Sequence, residues 1–215
     1  MMMKKLLTIA LLLLGMVAQA QIPAEVKDIL KKCSEKTHYS GGTEMDIKLH
    51  VGAVIASMNG TMKMYKKGDK SYSIVTMKAL GREIYGENGF DGTHDWKYSK
   101  ATDDEERDTL TITKSAKKSK EKYSINLGLD KEYKKAKLKT TDKYYEITFT
   151  DPLKKKTPKK AILRIEKDKY LLHEYETKVS VASVKMTVTR IKYGVSDNVF
   201  VLDPKKYPNA VIVRK

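Results

Sequence analysis

The chain has 215 residues, with 43 Lys plus Arg against 27 Asp plus Glu, a formal charge of +16 and a single cysteine. A length of this order makes one domain that can bury a real core. One cysteine excludes an intrachain disulfide, so stability rests on packing alone.

The chain opens on Lys4 and Lys5, an apolar run from Leu6 to Leu14, and Ala18-Gln19-Ala20. A short basic start, an apolar middle and a small-residue cleavage site read as a secretory signal over residues 1–20. The run is too short to cross a hydrocarbon core of ~30 Å as a lasting helix, and no second candidate follows. The expected mature protein is one domain over residues 21–215, soluble and periplasmic. Gln21 stands where a lipid-anchored precursor needs a cysteine, so no lipid anchor is expected. Loss of Lys4 and Lys5 leaves 41 basic against 27 acidic side chains, or +14. In the cytoplasm that charge points to nucleic acid. Export replaces nucleic acid with anionic phospholipid, lipopolysaccharide or peptidoglycan as the natural counterpart. A merely solvated basic surface satisfies the charge equally well.

From Pro23 to about Lys36 apolar residues recur at helical spacing, and Pro23 suits a first turn, which predicts an amphipathic helix ending by Ser40-Gly41-Gly42. Cys33 falls on its stripe with Val26, Ile29 and Leu30, the place of a small buried hydrophobe. The period then becomes two. Met45, Ile47, Leu49 and Val51 alternate with Glu44, Asp46, Lys48 and His50; Ala56, Met58, Gly60, Met62 and Met64 alternate with Ser57, Asn59, Thr61 and Lys63. Lys67-Gly68-Asp69 is a hairpin turn.

Further strands are predicted at Ser71 to Met77, at Arg82 to Tyr85 and around Trp96 and Tyr98, with Gly86, Gly89 and Gly92 assigned to turns. Asp103 to Glu106 lacks the alternation of a calcium loop and is expected to be an ordinary loop. The Lys-rich stretch from Lys114 to Lys139 is expected to hold one or two short helices. Strand patterns return at Tyr144 to Thr150, Ala161 to Glu166, Tyr170 to Val181, Val184 to Tyr193 and Val211 to Val213, with a basic connection from Asp151 to Lys160. Short turns throughout favour an antiparallel meander. The predicted class is α+β: a strongly curved antiparallel sheet, a half-barrel, covered by the N-terminal helix and short central helices.

The chain carries no nucleophile elbow, phosphate loop, dinucleotide fingerprint or helical zinc pair. His38, His50, His94 and His173 are far apart in sequence. A non-enzyme is expected, with no catalytic residues, metal or cofactor. The methionines carry more information. Met45, Met58, Met62, Met64, Met77 and Met186 all fall in predicted strands, where stiff β-branched residues are the norm. A Met-rich face adapts to variable apolar guests such as acyl chains, and it equally fills gaps in a closed core. Trp96 and Tyr98, two apart, share one side of their strand; they either anchor the sheet to its helix or form an aromatic wall.

The segment Asn88-Gly89-Phe90-Asp91-Gly92-Thr93-His94-Asp95-Trp96-Lys97-Tyr98 is similar to a "D-G-x-x-x-W-x-Y" stretch, with Asp91, Gly92, Trp96 and Tyr98 in place. Asp197-Asn198-Val199-Phe200, Pro204 and Val211-Ile212-Val213 resemble a closing "F…P…V" pattern. With the leader and the helix before the first strand, these features resemble the LolA-like superfamily of periplasmic lipoprotein carriers. The family's "R-P-x-x-F-R" stretch is met only by Lys66-Lys67-Gly68-Asp69-Lys70-Ser71-Tyr72, without its arginines or proline. Control of a helical lid is therefore not carried over.

The resemblance implies a carrier that shields acyl chains of lipoproteins or lipids on the way to the outer membrane. It is expected to be a monomer, loaded by inner-membrane release machinery and emptied at an outer-membrane acceptor. The expected cavity residues are Met45, Ile47, Leu49, Met58, Met62, Met64, Met77, Trp96, Tyr98 and Met186. Two alternatives stand beside it: an envelope binding or sensing module for anionic components or a protein partner, and a hydrolase with His94 or His173 beside carboxylates.

Overall fold

The computed structural model describes residues 22–52, 57–79, 81–102, 107–114 and 127–215. The expected leader, Ala56, Leu80, the acidic run 103–106 and residues 115–126 lie outside the described residues.

One helix, α1 (Ala24–Thr37), opens the described chain, with Pro23 at its N-cap. Val26, Ile29, Leu30, Cys33 and Thr37 fall three or four apart, so a single face is buried. Thr37 donates to the Cys33 carbonyl at 2.8 Å, and Thr43 donates to the Thr37 carbonyl at 2.8 Å. These bonds fasten the helix end to the first strand.

Two antiparallel series follow. The first contains β1 (Thr43–Gly52), β2 (Ser57–Lys67), β3 (Lys70–Ala79), β4 (Arg82–Phe90), β5 (His94–Ser99) and β6 (Thr109–Lys114). The second contains β7 (Tyr133–Thr140), β8 (Tyr144–Pro152), β9 (Lys160–Glu166), β10 (Leu172–Val179) and β11 (Ala182–Tyr193); β12 (Val211–Arg214) closes the chain. All twelve belong to one sheet in the order β12-β6-β5-β4-β3-β2-β1-β11-β10-β9-β8-β7. The sheet is curved and open, with β12 and β7 at its edges.

The predicted single meander is therefore two meanders, joined where β1 pairs β11 from Thr43↔Tyr193 to Gly52↔Ser183. The sheet is mixed because β12 runs parallel to β6.

Three local expectations are corrected. Tyr133–Thr140 is a strand, with only a 3₁₀ turn at Leu129–Lys131 before it. Lys, Ala and Leu favour helix intrinsically, but Leu138 lies opposite Ile147 and Ala136 opposite Phe149, and that packing prevails. As an edge strand, β7 tolerates its lysines, which discourage pairing with another chain. Gly86 and Gly89 lie inside β4 rather than in turns. Gly89 is required because a Cβ there meets the Trp96 ring at 1.9 Å. Finally, β6 is an additional strand in which Leu110 and Ile112 are buried between threonines. Among the described residues, no helix is long and apolar enough to cross a membrane.

Candidate functional site

Strand register decides which side chains share a face. Met45 lies opposite Met64, Ile47 opposite Met62, Leu49 opposite Gly60 and Val51 opposite Met58. Gly60 in turn faces Met77, and across the seam Leu49 faces Met186. The six strand methionines thus share one face, the face that α1 covers.

Burial along that face is graded. Beneath α1, Met45, Ile47 and Met64 are closed in with Ile147, Phe149, Leu163 and Ile165. Leu49, Met62 and Met186 pack at the margin of this cluster and are half-buried. Farther from the helix, Met58 and Met77 are also half-buried. Between Leu49 and Met77, Gly60 leaves a floor without a side chain. A Cβ at Gly60 meets the Thr76 carbonyl oxygen at 2.3 Å, so the close approach of β2 and β3 demands glycine. The outcome is an aliphatic lane that begins in a packed core and opens toward the end of the sheet holding Gly52 and Ser183.

Trp96 and Tyr98 do not join this lane. Trp96 lies opposite Gly89 and Tyr98 opposite Glu87, and Gly89 and Glu87 lie opposite Tyr72 and Ile74, which alternate with the lane side of β3. Both rings therefore project from the other face. There they cluster with Leu110 and Ile112, and Leu202, Tyr207 and Ala210 of the C-terminal segment pack against them. Neither a helix anchor nor a wall of the methionine face results. The Tyr98 ring lies 4.6 Å from that of Tyr207.

Polar groups lock the aromatic cluster. Tyr72, Tyr85 and Tyr207 all donate to the buried Glu87 carboxylate, Tyr85 at 2.6 Å and Tyr207 at 2.7 Å. Tyr98 donates to Asp108 at 2.5 Å. Burial and the bond to Asp108 push the Tyr98 phenol up to about 12. Burial and the bonds to Glu87 raise Tyr72, Tyr85 and Tyr207 as well. These phenols stay neutral donors. Next along the same face comes a charge ladder. Arg164 bridges Glu146 at 2.8 Å and also binds Glu174, while Lys185 reaches Glu174 at 2.7 Å. A hollow of about 520 Å³ on this face is lined by Lys48, His50, Thr61, Lys78 and Lys185 among others.

Nucleophilic and ligating groups are scattered. Cys33 is fully buried, and burial pushes its thiol up to about 12, a packing role. His38 bonds Ser34, His50 bonds the Asn59 side chain at 2.8 Å, His173 stacks on Tyr144, and half-buried His94 lies 3.5 Å from Asp91. Among the described residues no three His, Cys, Asp or Glu side chains converge to hold a metal ion.

No protein-family model and no curated protein matches the sequence. Solved structures match its fold. The chain is similar to an uncharacterized conserved protein from Thermus thermophilus, with a TM-score of 0.56 at 12% identity, covering 89% of this chain and 99% of that one. It is also similar to the lipoprotein LppX from Mycobacterium tuberculosis, with a TM-score of 0.49 at 11% identity over 80% and 97% of the two chains. A LolA superfamily protein from Nitrosomonas europaea overlaps with a TM-score of 0.40 at 13% identity over 83% and 98%. At identities this low the likeness is one of fold alone, and it is the Thermus thermophilus structure that carries it.

Proposed function

We propose that this protein is an exported, non-enzymatic carrier that shields acyl chains of lipoproteins or lipids against its methionine face during transfer toward the outer membrane. The observation that carries this reading is the graded lane: Leu49, Met58, Met62, Met77 and Met186 on one sheet face, half-buried and continuous with the core under α1. Each methylene moved from water into such a surface contributes ~0.8 kcal/mol, so a single acyl chain supplies several kcal/mol. Binding is then easily strong, and release is the harder step. Unbranched methionines suit both, because they repack around different guests without hydrogen bonds to break. Release machinery at the inner membrane and an acceptor at the outer membrane are the partners this role implies, with the carrier itself a monomer.

Native mass spectrometry of protein recovered after export, followed by titration of the delipidated protein with a diacylated peptide, tests the reading. Saturable binding that falls at least about tenfold in a Met58→Asn, Met62→Asn, Met77→Asn variant supports it. Absence of saturable acyl binding by the wild-type protein contradicts it. A module that instead used its basic surface on an anionic polymer binds in a salt-sensitive way and tolerates those substitutions.

A further inference from the structure

We propose that the end of the sheet where the lane opens is a docking rim for an anionic phospholipid bilayer, an inference that rests on the carrier reading and specifies where cargo enters and leaves. The pairing register places the β3–β4, β8–β9 and β10–β11 connections at this one end, beside Gly52 of β1. Exposed aliphatic side chains gather there: Leu153 at 51%, Val179 at 52%, Val181 at 65% and Ile84 at 46% exposure. The opposite end has a different character. There the exposed rings of Tyr39 and Tyr193 pack edge to face on each other at 5.3 Å, and Val201 is the exposed aliphatic side chain beside the turn that Asp197 ties to Lys67 and Lys70.

Basic residues flank the aliphatic tips. Leu153 precedes Lys154, Lys155 and Lys156, Lys159 and Lys160 lead into β9, and Lys178 precedes Val179. Each of these lysines is exposed and forms no ion pair with another described residue. Asp151, the nearest carboxylate in sequence, is engaged 3.5 Å from Lys135. The tips are held rather than loose. The Leu153 amide donates to the Glu132 carbonyl at 2.8 Å, and Ser180 adopts φ 55, the left-handed geometry of a tight turn, to present Val181.

A tip of one or two aliphatic side chains inserts weakly by itself, and lysines by themselves bind any anionic surface. The two together describe the acyl–headgroup boundary, where apolar tips enter and lysines meet phosphates. The last row of the lane, Val51, Met58 and Val184, lies directly behind this rim. An acyl chain leaving a bilayer at the rim therefore meets the lane without crossing open water.

Co-flotation of protein recovered after export with phosphatidylcholine vesicles, with and without a quarter phosphatidylglycerol, tests the proposal. The wild type is expected to bind the anionic vesicles at least about tenfold more strongly than the neutral ones. A Lys154→Gln, Lys155→Gln, Lys156→Gln variant should lose about tenfold or more on anionic vesicles. A control removing the same charge from the opposite end, Lys36→Gln, Lys143→Gln, Lys192→Gln, should lose less than about threefold. Leu153→Ser with Val181→Ser should weaken vesicle binding about threefold or more while saturable binding of a diacylated peptide, measured without vesicles, stays unchanged. Equal losses in the two lysine variants, or no vesicle binding by the wild type, overturn the rim. Loss of diacylated-peptide binding by the wild type contradicts the carrier reading and leaves the rim to be decided by the vesicles alone.

Discussion

Two apolar clusters stabilise the opposite faces of this sheet by different means. The cluster under α1 is richer in aliphatic side chains: Ile147, Leu163, Ile165 and the strand methionines, whose contacts need no hydrogen-bond partner, surround the rings of Phe149 and Tyr133. The cluster under the C-terminal segment is aromatic, and its hydroxyls are tied to Glu87 and Asp108. A buried phenol must keep its partner, so the aromatic face has one arrangement. Methionines carry no such demand, so their face exchanges neighbours at low cost. The methionine lane, whose side chains carry no such ties, is the part that remains half-open.

Substitutions that act on one cluster and spare the other probe this contrast. The largest effect is expected from Phe149→Ala, which empties a fully buried site beneath the helix. A loss of ~3–5 kcal/mol in urea unfolding is expected, with the Trp96 emission of the native state unchanged. Next comes Gly89→Ala, whose new Cβ overlaps the Trp96 ring. It should cost ~1–3 kcal/mol and shift the emission of Trp96, the sole tryptophan, to longer wavelength. Acyl binding should survive, because the lane lies on the other face.

Glu87→Gln is expected to cost ~1–2 kcal/mol, since an amide offers one acceptor oxygen where three phenols now donate to a carboxylate. Hydrogen exchange should rise first at Tyr207 and its neighbours if Glu87 secures the C-terminal segment.

The smallest effect concerns Asp197, clasped by Lys67 at 2.8 Å and Lys70 at 2.9 Å. Those hydrogen bonds hold its carboxyl at about 2, below the ordinary 3.8. A folded-state pKa depressed in this way adds stability above pH 3.8 that is lost as pH falls through about 2. Wild type and Asp197→Asn should therefore differ by a constant small amount above pH 5 and converge toward pH 2 in acid unfolding. A gap that widens on acidification contradicts the clasp.

Period and spacing made much of this architecture readable in advance. The stripe of Val26, Ile29, Leu30 and Cys33 located α1, and alternation in β1 and β2 set Met45, Ile47, Leu49, Met58, Met62 and Met64 on one face. Alternation inside a strand cannot say which face a later strand inherits, however. That depends on the intervening turns and on where β4 ends. Once Gly86 and Gly89 are strand residues, Trp96 and Tyr98 fall on the face away from the methionines. The β1–β11 seam joins residues as distant as Asp46 and Arg190, beyond any local pattern. In β7, lysines with strong helix propensity hid a strand whose partners lie in β8. The Leu110 and Ile112 alternation of β6 was a local signal, legible in period alone.

The central claim, that acyl chains lie along the methionine lane, is tested most directly by photocrosslinking. Delipidated protein would be saturated with a diacylated peptide carrying a diazirine in one acyl chain, irradiated, and the adducts mapped by mass spectrometry. Adducts are expected at Met58, Met62, Met77 and Met186, and none at Trp96 or Tyr207. Adducts concentrated at Trp96 and Tyr207, or spread evenly over both faces, would contradict the claim.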